Sequence, residues 1–173
     1  SVVNALSEWL ELEVRRSGRA WTQRYEYGIP QGELTPGEKT QKHGTIIRFK
    51  PDPTIFEETS FSFDTLSNRL REMAFLNRGL KITLEDERED RKNAFHYNGG
   101  IIEFVKHINQ NKTPIHPKVL FFEGAKGDIQ VEVAVQYNDG YQENVFTFAN
   151  NINTREGGTH LTGFRAALTR TIG

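Results

Sequence analysis

The sequence contains no cysteine, which excludes a disulfide framework and any zinc site built from thiolates. It has no apolar run near the length of about 18 residues that a membrane-spanning helix requires. Its first residues also lack the basic segment and hydrophobic stretch of a secretory signal. Together these absences predict a cytoplasmic protein.

Motifs of a self-contained active site are absent as well. There is no G-x-S-x-G and no P-loop. None of the five histidines stands four residues from another, so we interpret them as structural or surface residues. The acidic run at residues 85–90 lacks the ligand spacing of an EF-hand loop, and we interpret it as a solvated hairpin tip. We therefore predict no metal site and no catalytic residue.

The remaining composition is that of an ordinary folded chain. The 36% of hydrophobic residues include twelve Phe, enough for one good core or two small ones in 173 residues. The formal net charge of −1 gives no electrostatic reason to expect a nucleic-acid partner. No initiator Met is present, and the chain starts on a helix cap and stops inside a helix, so we expect a longer protein.

The first part of the chain predicts a short helix followed by antiparallel strands. Ser1 is placed to cap a helix whose apolar positions are Val2 or Val3, Leu6 and Leu10. Residues 11–16 and 21–27 alternate around the turn Ser17-Gly18, which predicts a β-hairpin. Residues 28–44 contain two Pro and four Gly and predict a long, mobile loop. Residues 45–50 predict another strand, stopped by Pro51-Asp52-Pro53.

The middle of the chain predicts a helix and a second hairpin. Residues 64–77 form the helix, with Gly79 as its terminating residue. Its apolar face is predicted at Leu66, Leu70, Met73 and Asn77. Residues 81–84 predict a strand, with Phe95-His96-Tyr97 as its partner.

Gly99-Gly100 marks the predicted boundary between two domains, residues 1–98 and 99–173. A helix follows, with Ile101, Phe104 or Val105, and Ile108 inward. Residues 112–117 predict a connector and residues 119–123 a strand. Residues 129–137 alternate strictly, and the turn signal at residues 138–140 predicts that residues 143–149 pair back with them as a hairpin.

The last quarter predicts the end of a strand, an Asn-rich loop, a Gly-Gly pivot and a helix capped by Thr159. The apolar face of this helix comprises Leu161, Phe164, Leu168 and Ile172. Gly157-Gly158 before a helix N-terminus has two interpretations, a phosphate-binding turn or a hinge. The motif is not a P-loop, which favours the hinge.

Several groups of residues carry a resemblance to a known family. They are Ser1-Val2-Val3-Asn4-Ala5-Leu6-Ser7, Gly44-Thr45, Arg48-Phe49-Lys50-Pro51, Arg69-Leu70-Arg71-Glu72, Phe75-Leu76-Asn77, Phe95-His96-Tyr97, Gly99-Gly100, Asn111-Lys112-Thr113-Pro114-Ile115-His116-Pro117, Asn138-Asp139-Gly140-Tyr141-Gln142-Glu143-Asn144 and residues 147–167. In this order they resemble the bacterial DNA gyrase B family, the ATPase and transducer region of type IIA topoisomerases. The ParE protein of topoisomerase IV is a close relative that shares much of this pattern.

The resemblance implies an α/β (α+β) fold with two parts. Residues 1–98 would be the C-terminal half of a GHKL-type ATPase sandwich, and residues 99–173 the first part of an α/β transducer domain with a left-handed crossover. The implied function is ATP-driven closure of a dimeric clamp that passes one DNA duplex through a break in another, producing negative supercoils. The implied cofactors are ATP and Mg²⁺, and the implied partners are gyrase A, a DNA duplex and a second copy of gyrase B.

The resemblance also implies binding residues. Thr45 matches a threonine that shares a water with adenine, Ile47 a wall of the adenine pocket, and Arg16 an arginine that contacts coumarin inhibitors. Ser1 borders the phosphate loop. The simpler alternatives are a core residue at Ile47 and an exposed charge at Arg16.

The family's general base, Mg²⁺ ligand and adenine-reading Asp match no residue present, so we expect no ATP hydrolysis by this chain alone. From charge alone, Arg155, Arg165 and Arg170 are candidates to face a DNA cavity. The competing hypotheses are a fragment of the topoisomerase IV counterpart and a non-catalytic binding module that uses a gyrase-like surface.

Overall fold

The computed structural model describes residues 1–172, with side chains through Thr171. It is a mixed α/β structure that divides into two compact units, Ser1–Phe61 and Ser62–Gly173. The mixed α/β fold class is therefore as predicted. Within the described residues, no helix is both long enough and apolar enough to cross a membrane.

The first unit is an antiparallel sheet with a short helix at its start. Its sheet order is β3-β2-β1-β5, and β4 also pairs with β2. The elements are α1 (Val2–Ala5), β1 (Ser7–Arg16), β2 (Arg19–Glu26), β3 (Ile29–Pro30), β4 (Thr35–Lys39) and β5 (Gly44–Pro51). The predicted helix at Ser1, the β1–β2 hairpin and the β5 strand are confirmed, although α1 ends before Leu6 and Leu10 lies in β1.

The tight turn of the β1–β2 hairpin forms as its sequence predicts. Ser17 and Gly18 both have positive φ, at 55° and 77°, the conformation that matches the twist of a two-residue hairpin. The prediction of a loop over residues 28–44 is wrong in part, because β3 and β4 form there and pair with β2. Both strands lie at the rim of the sheet, where Pro30 and Pro36 are tolerated because an edge strand leaves some N–H groups unpaired.

Within the residues that the structure describes, the second unit contains three helices and three two-stranded sheets. Its elements are α2 (Phe63–Leu76), β6 (Lys81–Asp86), β7 (Arg91–His96), α3 (Ile101–Ile108), β8 (Leu120–Lys126), β9 (Ile129–Val135), β10 (Phe148–Ala149), β11 (Ile152–Asn153) and α4 (Thr159–Ile172). The strands pair as β6–β7, β8–β9 and β10–β11. The predicted α2, α3 and β6–β7 hairpin are confirmed.

The predicted pairing of residues 129–137 with residues 143–149 is wrong. β9 pairs with β8, in the register Phe122↔Val133. The turn residues have another use: Asp139 accepts a hydrogen bond from Thr113 N–H at 3.3 Å, and Asn138 forms a β-bridge with Pro114. The chain after β9 is therefore held against the connector, and the short hairpin forms later, between β10 and β11.

The predicted buried face of α2 is also rotated from the observed one. The buried residues of α2 are Phe63, Ser67, Ala74 and Phe75, whereas Met73 is exposed. The prediction that Gly79 terminates α2 as a glycine cap is also wrong. Asn77 is the C-cap, and Gly79 N–H donates instead to Tyr97 O at 3.0 Å.

α4 begins at Thr159, and Thr162 N–H donates to Gly158 O, so the helix starts one residue earlier than a Thr159 cap requires. Its predicted faces agree with the structure where they are described. Leu161, Phe164 and Leu168 are partly covered, while Arg165 and Arg170 are exposed. The fourth predicted apolar position, Ile172, lies outside the residues whose side chains are described.

Candidate functional site

Three of the four predicted binding residues share one face of the first sheet. β1 and β5 are antiparallel neighbours, with Val14 opposite Thr45 and Leu12 opposite Ile47. Side chains alternate along a strand, and opposite residues of a pair point to the same face. Arg16, two residues after Val14, therefore lies on the face of Thr45 and Ile47.

This face is apolar and open. Ile47 is 56% exposed, and its neighbour on the same face, Phe49, is also exposed. An exposed branched aliphatic surface beside a hydroxyl suits a flat, mostly apolar ring that carries a few polar edge atoms. Arg16 stands at the end of β1 nearest Thr45 and supplies a cation at the margin of this surface.

Ser1 is not brought to this group. Its Oγ accepts a hydrogen bond from Asn4 N–H at 3.5 Å and caps α1. α1 leads into the Ser7 end of β1, whereas Arg16 stands at the other end. Ser1 and Arg16 therefore lie near opposite ends of β1, and a binding site that includes both must extend along this strand.

The opposite face of the sheet is polar and forms a shallow cavity of about 420 Å³. Among its lining residues are Glu11, Glu13, Arg24 and Arg48, and Arg24 forms an ion pair with Glu11 at 2.6 Å. None of the predicted binding residues lines this cavity. The two faces of the sheet thus differ in chemistry, and the predicted site occupies the apolar one.

The three candidate DNA-facing arginines differ in their surroundings. Arg165 forms an ion pair with Glu143 at 2.8 Å. Arg155 and Arg170 are exposed, and neither of them forms an ion pair within residues 1–172. The charge of Arg165 is partly neutralised in place, so Arg155 and Arg170 are the freer cations of the set.

The acidic hairpin tip has no group of metal ligands. Across the described part of the chain, no three His, Asp or Glu side chains are arranged to hold a metal ion. Arg88 donates to both carboxylate oxygens of Asp86, at 2.9 Å and 2.6 Å, and lowers the pKa of Asp86 to about 2. This carboxylate is therefore committed to a local ion pair at the tip of β6–β7.

An aromatic cluster forms the centre of the second unit. Phe75 stacks on Tyr97, with ring centroids 3.7 Å apart, and on Phe104 at 5.1 Å. His107 packs against Phe75 with ring centroids 5.5 Å apart. Burial lowers the pKa of His107 from 6.5, and the nearby charge of Arg71 lowers it further.

The His107 environment predicts a pH dependence of stability. Because the folded pKa lies below the unfolded one, the unfolded chain binds the proton more tightly. The contribution of neutral His107 is complete above the ordinary pKa and is lost as pH falls through the folded pKa. We expect His107→Phe to reduce the loss of unfolding free energy between about pH 7.5 and about pH 5.5. Urea unfolding at the two pH values measures this; equal losses in both proteins would contradict the assignment.

A polar network at the end of α3 is a feature that sequence reasoning missed. Asn109 donates to Gln136 Oε1 at 3.1 Å and accepts from Asn138 Nδ2 at 3.0 Å, while Gln136 Nε2 donates to His116 O at 3.1 Å. The His116 ring accepts from Tyr137 N–H through Nε2 and bonds Lys118 O through Nδ1. The sequence signals that could have indicated this network were the two Pro in the connector and the Asn and Asp of residues 138–139.

Known proteins of similar sequence match nearly the whole chain. The family model described as DNA gyrase B matches residues 100–173. The DNA gyrase B protein of Bacillus mycoides is 53% identical over 99% of this chain and 43% of its own length. Its counterpart from Clostridium acetobutylicum is also 53% identical over 99% of this chain, which spans 27% of that relative. The chain thus spans less than half of the length of these relatives.

Solved structures give the same result. The 43K ATPase domain of Thermus thermophilus gyrase B, crystallised with an aminocoumarin, matches 98% of this chain and 47% of that chain, with 37% identity and a TM-score of 0.86. Gyrase B from Myxococcus xanthus matches 95% of this chain and 49% of that chain, with 28% identity and a TM-score of 0.86. From its sequence and its fold alike, this chain belongs to the DNA gyrase B family.

Proposed function

We propose that this chain is part of the ATP-operated clamp of a DNA gyrase, a type IIA topoisomerase of the cytoplasm. The observation that carries the proposal is 53% identity to gyrase B proteins over 99% of the chain. The fold similarity to a gyrase B ATPase domain supports it. Gyrase is favoured over topoisomerase IV because the relatives and solved structures named above are all gyrase B proteins.

In this function, residues 1–98 belong to the ATPase domain and residues 99–173 to the transducer. The family match that begins at residue 100 supports this division. The left-handed crossover of the transducer stays a prediction. The proposed partners are gyrase A, a DNA duplex and a second copy of gyrase B, and Arg155 and Arg170 are the cations proposed to face the DNA.

The apolar face of the first sheet is the proposed adenine side of the nucleotide site. Ile47 offers an exposed apolar surface for the base, and Thr45 lies on the same face. The Thr45 hydroxyl would hold the polar edge of the base through a water. Arg16 marks the margin of the site, where an aminocoumarin such as the one bound to the Thermus thermophilus domain would be contacted. Ser1 borders the phosphates.

The residues present are suited to bind the adenine base but not Mg²⁺. No described group of His, Asp or Glu side chains is arranged to bind Mg²⁺. When bound to the complete protein, ATP with Mg²⁺ supplies the phosphoryl group that water attacks. The chain's own contribution is to bind and orient the base, so the isolated chain is expected not to hydrolyse ATP.

The test uses a hybrid gyrase B, in which this chain replaces the matching residues of the Clostridium acetobutylicum relative. We expect the hybrid to bind a non-hydrolysable ATP analogue with Mg²⁺ in calorimetry. Ile47→Asp should weaken this binding about tenfold, because an apolar contact with the base is lost and a charge is introduced. The isolated chain should show no binding at millimolar nucleotide.

Arg48→Gln is the matched control, since Arg48 is exposed on the same strand and lines the cavity on the opposite face. Its nucleotide affinity should stay within about twofold of the unmodified hybrid, as expected for a surface substitution. A hybrid that does not bind nucleotide, or an Ile47→Asp hybrid that binds as tightly as Arg48→Gln, contradicts the proposal. Micromolar binding by the isolated chain would contradict the assignment of missing phosphate ligands.

A further inference from the structure

We propose that the β10–β11 hairpin is a coupling element, fastened to α2 by a latch at its turn and on β11, and joined at its base to α4. The latch is defined as the pairs Asn151–Asn77 and Asn153–Glu72. The coupling role rests on the function proposed above, in which α2 belongs to the ATPase part and the hairpin and α4 belong to the transducer part. The latch is then a polar tie between the two parts.

The first pair of the latch has a fixed direction. Asn77 Nδ2 donates to Met73 O at 2.8 Å, which orients the amide so that its Oδ1 is the free acceptor. Asn151 Nδ2 donates to this Oδ1 at 3.1 Å. Asn151 is held in place by the turn itself, since Asn150 and Asn151 have φ values of 49° and 64°, as a two-residue hairpin requires.

The second pair of the latch joins β11 to the side of α2. Asn153 Nδ2 lies 3.5 Å from both carboxylate oxygens of Glu72. The Glu72 side chain is only 17% exposed and is also paired with Arg69 at 3.5 Å. The partly covered Glu72 carboxylate requires a hydrogen-bond donor at position 153. An acceptor there would leave the Glu72 charge without this hydrogen bond, so the contact is specific.

The base of the hairpin continues into α4 through hydroxyl groups. Thr154 N–H donates to Thr147 O at 2.8 Å, and the hydroxyl groups of Thr147 and Thr154 lie 2.7 Å apart. Thr154 Oγ1 also lies 3.0 Å from Nε2 of His160, in the first turn of α4. The hairpin base and the start of α4 therefore share one hydrogen-bond network.

The two attachments differ in kind. The hairpin base has a backbone hydrogen bond and a hydroxyl network, whereas the latch consists of one amide–amide and one amide–carboxylate side-chain contact at exposed or partly exposed positions. Such contacts contribute modestly and open more readily than a packed strand pair. Opening the latch frees the hairpin from α2, and the hydrogen-bond network at its base transmits the added motion to the start of α4.

The test measures amide hydrogen exchange of this chain by NMR, with Asn153→Asp as the first variant. The substitution removes a donor and places a carboxylate against Glu72, so exchange at Thr154 N–H should rise about fivefold to tenfold. Exchange at Thr162 N–H, which bonds Gly158 O in the first turn of α4, should rise with it. Adding Glu72→Gln reverses donor and acceptor, and exchange should return to within about twofold of the unmodified chain.

Asn150→Asp is the matched control, because it adds the same charge to the same hairpin, at an exposed turn residue outside the latch. Its exchange at Thr154 should be unchanged. The proposal is overturned if Asn153→Asp acts no more strongly than Asn150→Asp, if Glu72→Gln gives no rescue, or if Thr162 does not respond. An equal rise at Phe95, in β7, would mean general loosening and would overturn it too. The exchange experiment contains no nucleotide, so a negative result counts against the latch, whereas nucleotide binding is decided by the hybrid gyrase B.

Discussion

Phe75→Ala is expected to lower the free energy of unfolding of the second unit by about 3–5 kcal/mol. Phe75 is 2% exposed, and its ring contacts Tyr97, Phe104 and His107. Alanine removes both the buried apolar surface and the stacking partner of these three rings, and it leaves a cavity that rigid aromatic neighbours cannot fill. Urea unfolding followed by near-ultraviolet circular dichroism, which reports on packed aromatic rings, measures the loss.

Met73→Ala on the same helix is the control for this substitution. Met73 is 47% exposed, so its truncation should cost less than about 1 kcal/mol. A loss for Phe75→Ala that is no larger than for Met73→Ala would show that the aromatic cluster is not the centre of this unit. Both variants keep a good helix former at the substituted position, so the difference reports packing rather than helix propensity.

The example of α2 shows what periodicity supplies and what it leaves open. A period of 3.6 residues predicts a helix over residues 64–77, and the observed helix, Phe63–Leu76, agrees to within one residue at each end. Periodicity weighted by hydrophobicity placed Met73 and Asn77 inward, but the buried positions include the small residues Ser67 and Ala74. Small residues carry little weight in such a pattern, although they allow close approach of a neighbouring strand: Ser67 Oγ accepts a hydrogen bond from Asn93 in β7 at 3.0 Å.

The choice of strand partner was the other limit. Turn signals stand on both sides of β9, and it is Gly127-Asp128 before β9 that joins it to β8, with Lys126 opposite Ile129. The β9 partner was wrongly predicted because the Asn-Asp-Gly signal after β9 does not say which segment its side chains will bind. In this fold Asp139 binds Thr113, which is far away along the chain. Non-local hydrogen bonds of this kind are not encoded in any short window of the sequence.

The candidate site could be predicted only in part. Alternation along β1 and β5 predicts which residues share a face within each strand, and the family resemblance supplies Arg16, Thr45 and Ile47. The β1–β5 register that sets Val14 opposite Thr45 comes from the structure. The latch was not predictable, since Asn77 and Asn151 lie far apart in sequence and neither has an unusual local pattern.

The Asn109 network leads to the second large effect. We expect Asn109→Ala to lower the free energy of unfolding of the second unit by about 1–3 kcal/mol. Asn109 is 7% exposed, and its loss leaves Gln136 Oε1 and Asn138 Nδ2 without their partner in a covered place. The cost arises mainly from these unpaired groups, because Asn109 is the C-cap after the last residue of α3, where interior helix propensity does not apply.

Gln110→Ala is the neighbouring control, since Gln110 is exposed and lies one residue beyond the network. It should change the free energy of unfolding by less than about 0.5 kcal/mol. Hydrogen exchange localises the effect: Ile115 N–H and Asp139 N–H, which bond Tyr137 O and Thr113 O, should exchange faster in Asn109→Ala. If those two amides keep their protection while overall stability falls, Asn109 acts through α3 alone, and the amide network is not what holds the connector to β9.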